Sequence, residues 1–333
     1  MSAIVTGDAE ILLEFDQVSV SYAGKSSLFR PARKVRAVNA VSFQLKQGEV
    51  LGIVGESGSG KSTMAKLAMR MLRPEQGEIR YRGKALADYR GRDENCLRKE
   101  IQMVFQDPNA SLNPRLTIEQ SLREPFYLHD LGSSIEQHEE ITRLLKLVGL
   151  PVSVLHRYPH ELSGGQKQRV VIARALALQP KVLIADEAVA ALDASVKAQI
   201  INLLLSLREQ LGLTIIFISH DLPLVQIMCD RVLVLYLGQK MELASRAAIA
   251  SGGAHPYTRA LWASSPVADP SRRLQREQLL QGEIPSPLAP PSGCVFHTRC
   301  PQAAAICREK SVSPPAQSDA HQVICHFTQG NSV

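Results

Sequence analysis

The chain has 333 residues, 45% of them hydrophobic and 21% charged, and a formal net charge of +6 at pH 7. That is enough apolar content for a sizeable core in one large domain or two unequal ones. The longest apolar runs fall well short of the roughly 18 residues a membrane-spanning helix needs, and the N-terminus has no basic stretch followed by an apolar core, so a cytosolic chain without a span or signal peptide is expected. Positive charge is spread along the chain, with a run only at Arg30–Arg36 (RPARKVR), which reads as a solvated basic loop and not as a nucleic-acid surface.

Leu12–Tyr22 and Val41–Leu45 alternate apolar and polar side chains, the pattern of antiparallel strands with one buried face. VLGIV (Val50–Val54) is short and continuously apolar, as are VLIAD (Val182–Asp186), TIIFI (Thr214–Ile218) and VLVLY (Val232–Tyr236), and helical patterns separate them; they read as strands of a covered, mostly parallel sheet. From Pro114 to about His160 the pattern is helical, with Ile141, Leu144, Leu145 and Val148 on one stripe, so a helical subdomain over about 114–178 is expected inside an α/β core. Beyond Ser251 the composition shifts to Pro, Ser and Ala, GEIPSPLAPPSG reads as an extended loop, and residues 251–333 are expected to form a small irregular second domain after a first of residues 1–250.

GESGSGKS (Gly55–Ser62) lies between an apolar strand and the helical TMAKLAMRML, the context of a phosphate-binding loop. Gly55, Gly58 and Gly60 let the chain wrap an anion with its N–H groups facing inward beside Ser57; Lys61 reaches the outer phosphates, and Ser62, next to Thr63, offers a hydroxyl to Mg2+. KVLIADE puts Asp186 and Glu187 at a strand end, where Asp186 suits Mg2+ held through water and Glu187 suits orienting or deprotonating a water. LSGGQ (Leu162–Gln166) opens an amphipathic helix: Ser163 and Gln166 stand at capping-box spacing, and Gly164 and Gly165 leave the first amides uncovered. Taken alone, that segment is equally a good helix cap.

Phosphate loop, LSGGQ and ADE in this order resemble the ATP-binding cassette family over roughly Leu12 to Ala250. The resemblance implies an α/β fold with a phosphate-loop core, an N-terminal antiparallel β subdomain, an inserted helical subdomain and, here, a small irregular C-terminal domain. It also implies that the LSGGQ of one cassette closes on the γ-phosphate held by a second cassette, head to tail. Carried over residue by residue, it gives Tyr22 as the aromatic stacked on adenine, Gln106 as the sensor of Mg2+ and the attacking water, Glu187 as the catalytic carboxylate, Asp193 as the acid at the dimer seam and His220 as the histidine on the γ-phosphate. Many relatives have proline and a hydroxyl residue where this chain has Ala188 and Ala190, which puts the rate in doubt more than the reaction.

FQDPNASLNPR, HPYTRAL and the tail resemble the branch that energises uptake of oligopeptides, dipeptides and, in some members, nickel. That implies an ATPase subunit, peripheral on the cytoplasmic face of the membrane, with a sister ATPase subunit, two transmembrane permease subunits and an extracytoplasmic substrate-binding protein, and with no nucleic acid. The rivals are a soluble cassette ATPase acting on ribosomes or DNA and an ATP-binding switch without turnover. Cys294, Cys300, Cys307 and Cys325 follow the spacing C-x5-C-x6-C-x17-C. In this branch they are expected to hold a 4Fe-4S cluster, with structural zinc or free thiols as alternatives.

Overall fold

β1 (Ile11–Ala23) and β2 (Lys34–Lys46) pair antiparallel, but burial does not alternate strictly along them: register shifts interrupt the pairing, and Val18–Val20 and Val41–Phe43 are buried as runs. Their shared apolar face carries Phe15 opposite Phe43, with ring centroids 4.6 Å apart. The computed structural model describes residues 10–23, 34–264, 282–312 and 321–328, so residues 30–33 of the basic run lie outside it. The chain divides into two compact units, Met1–Ala87 with Ser219–Val333, and Asp88–Ile218. In the first unit β3 (Val50–Val54) is buried along its whole length and leads through a glycine-rich loop into α1 (Lys61–Ala68). β4 (Gln76–Tyr81) pairs with β1, and β5 (Lys84–Ala85) with β4, which completes an antiparallel sheet in the order β2-β1-β4-β5.

The second unit opens with α2 (Gly91–Glu100) and β6 (Ile101–Val104), followed by α3 (Pro108–Ser111), α4 (Ile118–Leu128) and α5 (Ser134–Leu147). Capping boxes start both longer helices, Thr117 with Gln120 and Ser133 with Glu136, and Ile141, Leu144, Leu145 and Val148 are buried as their spacing implies. Then come α6 (Gly164–Leu176), β7 (Val182–Asp186), α7 (Ala194–Leu211) and β8 (Thr214–Ile218), with β6, β7 and β8 pairing in parallel. No described residue between Leu112 and Lys181 lies in a strand, so the inserted segment is helical as expected.

The chain then re-enters the first unit with α8 (Leu222–Met228) and β9 (Arg231–Tyr236), which runs parallel to β3. β10 (Gln239–Ser245) turns back antiparallel, and α9 (Arg246–Ala250) and α10 (Pro256–Ala263) follow. After α11 (Ala305–Glu309), the two-residue β11 (Gln322–Val323) adds to the edge of β10, so the C-terminal segment extends a core sheet. Buried beside that edge, Glu242 accepts from the Ala254 and His255 N–H groups at 2.9 Å and pairs with His321 Nε2 at 2.7 Å. Lys240 donates to Ser42 O and to Gln322 Oε1, and burial pushes its pKa down to about 8. Among the described residues no helix is long and apolar enough to cross a membrane.

Candidate functional site

In the first unit the loop after β3 is shaped by backbone packed on backbone. Gly55 takes φ +151, and a Cβ on it would collide with the Leu235 carbonyl and come within 2.7 Å of Ser59 Oγ. Gly60, the N-cap of α1, takes φ +103 and lies against the Ala37 carbonyl in the same way. Both positions therefore require glycine. Gly58 is at φ +77; Ser57, Gly58 and Ser62 are exposed, and Thr63 is half-buried. Lys61 is buried, and its Nζ donates to Gly55 O at 2.8 Å and Glu56 O at 3.0 Å, which folds the ammonium back over the loop. A cation, a bend lined by peptide groups and exposed hydroxyls are the groups with which such a loop can take up an anion. Tyr22 is exposed at the end of β1, with its hydroxyl 3.4 Å from Thr63 Oγ1. His220 is exposed and follows Ser219, whose N–H donates to Ile53 O at 3.3 Å.

The second unit carries the remaining candidates. Asp186 is buried at the end of β7, and Glu187 follows in the left-handed region at φ +49, its N–H donating to Ile218 O at 3.0 Å. A glutamate held there costs free energy that the surroundings must offset, and such positions cluster at functional sites. Ser163 caps α6: its Oγ accepts from the Gln166 N–H at 3.3 Å, and Gln166 Oε1 accepts from the Ser163 N–H at 3.0 Å. The two glycines behind the cap differ. A Cβ on Gly165 would lie 2.7 Å from Val196 Cγ1 on α7, whereas one on Gly164 would meet Leu192 Cδ2 at an ordinary 3.5 Å. Asp193 begins α7 without bonding its own helix through its side chain, and is exposed.

Gln106 is exposed in the loop between β6 and α3, and the segment that follows it is held by contacts that the sequence did not reveal. Asp107 caps α3 by accepting from the Asn109 N–H at 2.8 Å, and Asn109 Oδ1 in turn accepts from Lys167 Nζ of α6 at 2.8 Å. Arg174, also on α6, donates to Ser111 O at 2.6 Å and pairs with Glu124 at 2.7 Å. The helix that begins at LSGGQ thus also grips the segment beyond Gln106. The nearest signal in the sequence is the position of Lys167 and Arg174 on that helix.

The expected 4Fe-4S cluster is overturned. Among the described residues, which include all four cysteines of the tail, no group of three or more Cys, His, Asp or Glu side chains is arranged to hold a metal ion. Burial pushes the Cys294 and Cys300 thiols above their ordinary pKa. Cys307 and Cys325 are buried as well, and the four are free thiols in the packing of the tail.

Residues 38–190 match the ABC transporter family, and residues 241–307 match the C-terminal region of oligopeptide/dipeptide transporters. The chain is 47% identical to the oligopeptide transport ATP-binding protein AppF of Bacillus subtilis, over 97% of this chain and 99% of that one. It is 45% identical to the oligopeptide transport ATP-binding protein OppF of Haemophilus influenzae, over 96% and 98% of the two chains. Among solved structures it resembles CbiO1 of Clostridium perfringens (TM-score 0.63, 29% identity, 73% of this chain and 91% of that one). It also resembles the dimeric ATP-binding cassette MJ0796 with ADP and phosphate bound (TM-score 0.62, 30% identity, 71% and 99%). With near-full-length relatives far above the level at which family membership is in question, the chain belongs to the ATP-binding cassette transporter family, in the branch that carries the oligopeptide/dipeptide transporter C-terminal region.

Proposed function

We propose that this chain is the ATP-hydrolysing subunit of an importer of di- or oligopeptides, peripheral on the cytoplasmic face of the membrane. Near-end-to-end similarity to oligopeptide transport ATP-binding proteins, tail included, carries this reading. It acts in a cassette dimer, with a sister ATPase subunit as the partner, on two transmembrane permease subunits that receive peptide from an extracytoplasmic binding protein.

The roles follow from the groups each unit presents. In the first, the Gly55–Gly60 loop with Ser57, Gly58, Lys61, Ser62 and Thr63 binds the phosphates, Tyr22 stacks on adenine and His220 contacts the γ-phosphate. In the second, Glu187 takes the proton of the attacking water and Gln106 orients that water. Ser62, Gln106 and Asp186 offer hydroxyl, amide and carboxylate oxygens, hard donors of the kind that suit Mg2+. The ion, when bound, neutralises charge on the β- and γ-phosphates. Ser163, Gly164, Gly165 and Gln166, with Asp193 beside them, serve the nucleotide held by the partner cassette, which explains why one chain carries two anion cradles.

Closure of the pair on ATP moves the Gln106 loop and the helical subdomain against the permease, and hydrolysis releases it. Reconstitution with permease subunits and a peptide-binding protein tests this. Peptide uptake driven by ATP and lost in Lys61→Ala is the expected result; hydrolysis that never responds to peptide or permease contradicts it.

A further inference from the structure

The phosphate loop is anchored from the C-terminal segment through Glu56, the second residue of the loop, which is tied at three groups. Its N–H donates to Tyr257 Oη at 3.0 Å. Its carbonyl accepts from Lys61 Nζ at 3.0 Å and from the Ser59 N–H at 3.2 Å. Its carboxylate receives both Nη groups of Arg299, at 2.6 and 3.1 Å. Tyr257 and Arg299 both lie beyond Ser251, in the segment that matches the oligopeptide/dipeptide transporter C-terminal region.

Arg299 has little freedom of its own. Its side chain is 5% exposed, its Nη1 also reaches Tyr236 Oη at 3.3 Å, and its guanidinium lies 5.8 Å from the Tyr236 ring centroid. Tyr236, Tyr257 and Phe296 pack against one another with ring centroids between 4.8 and 5.4 Å apart, and so fix the floor on which the guanidinium rests. A planar fork held on aromatic rings offers a carboxylate one orientation only. It also neutralises an anion next to a loop that must accept a polyphosphate, since an unpaired Glu56 would repel the ligand.

We infer that Arg299 is a positioning residue for nucleotide binding: by clamping and neutralising Glu56 it keeps the Gly55–Lys61 loop in its anion-accepting shape, so the C-terminal segment contributes to ATP affinity without touching ATP. This rests on the reading that the loop binds ATP. Preorganisation of this kind raises affinity by removing the ordering cost from the binding step. A residue that only held the tail in place would change thermal stability and leave affinity alone.

The test is a fluorescent ATP analogue titrated with Mg2+ into the full chain and into Arg299→Gln, Glu56→Gln, the double variant and Lys61→Ala. Arg299→Gln is expected to weaken binding about tenfold, or about 1.4 kcal/mol. Removing the carboxylate as well should add little to that loss, because the two side chains act through the one contact. If Arg299→Gln does not fold, Arg299→Lys replaces it; a charge without the fork should still weaken binding several-fold. Affinity within about twofold of wild type in the folded Arg299 variant, or losses that multiply in the double variant, overturns the inference. Undiminished binding by Lys61→Ala would instead sink the nucleotide reading on which it stands.

Discussion

Lys167 Nζ donates to Asn109 Oδ1 at 2.8 Å, which joins the first turns of the LSGGQ helix to α3, the short helix that follows the loop carrying Gln106. If the Gln106 loop and the LSGGQ cap act as proposed, this polar link lies between them. Asn109→Ala is expected to lower the part of ATP hydrolysis that responds to peptide while costing under about 1 kcal/mol of stability, as exposed polar pairs do. Steady-state hydrolysis of the assembled transporter with and without peptide checks it; an unchanged response to peptide would show that the link carries no coupling.

Gly165 is set by packing against Val196, a constraint that applies before any ligand arrives. Gly165→Ala forces α6 and α7 apart and is expected to destabilise the chain by about 1–3 kcal/mol, with Val196→Ala restoring most of the loss. Gly164→Ala has room and should leave the fold intact. Denaturant unfolding of the three variants measures this, and equal effects of the two glycine replacements would contradict the geometry.

Glu187 at φ +49 trades stability for position. Glu187→Gly removes the side-chain strain, and the folded chain should gain up to about 1 kcal/mol, offset in part by the looser unfolded state. Turnover should fall by at least about a hundredfold, the usual worth of a general base, and Glu187→Gln should fall as far while retaining ATP. Thermal unfolding and hydrolysis rates of both variants are the measurements, and near-normal turnover in either removes Glu187 from the catalytic role.

His255 supplies a pH dependence. It is buried, its Nδ1 accepts from the Tyr257 N–H at 3.0 Å, and burial pushes its pKa down from 6.5 to about 4. The unfolded chain then binds the proton more readily than the folded one between about pH 6.5 and pH 4, so stability falls as pH falls through that window, by on the order of 2–3 kcal/mol from this group. His255→Asn keeps an acceptor at the cap of α10 and removes the titration. Unfolding free energies at pH 6.5, 5.5 and 4.5 should show a shallower slope in the variant; equal slopes would assign the acid sensitivity elsewhere.

The strands with continuous apolar runs were legible because a strand buried on both faces leaves no choice of residue: β3, β7 and β8 start and end where the runs do. β6 is not legible from the pattern, because Gln102 interrupts a strand of only four residues. The capping box of Ser163 and Gln166 is local and could be read from spacing, but the demand on Gly165 comes from Val196, which only the fold brings near. Likewise Arg299 and Glu56 are 243 residues apart, and no local pattern pairs them. The cysteine expectation failed for a related reason, since spacing along the chain does not fix how the four side chains are arranged in space.

The central claim is that each chain carries two anion cradles that serve different nucleotides. Ser163→Arg tests it most directly, because Ser163 is exposed at the cap of α6 and a bulky side chain there obstructs only what approaches from outside. ATP binding by the single chain should stay within about twofold of wild type while hydrolysis by the assembled transporter falls at least about a hundredfold, the scale on which removal of one γ-phosphate-stabilising group acts. Hydrolysis left intact in the folded variant, or binding to the single chain lost along with it, would contradict the division of labour.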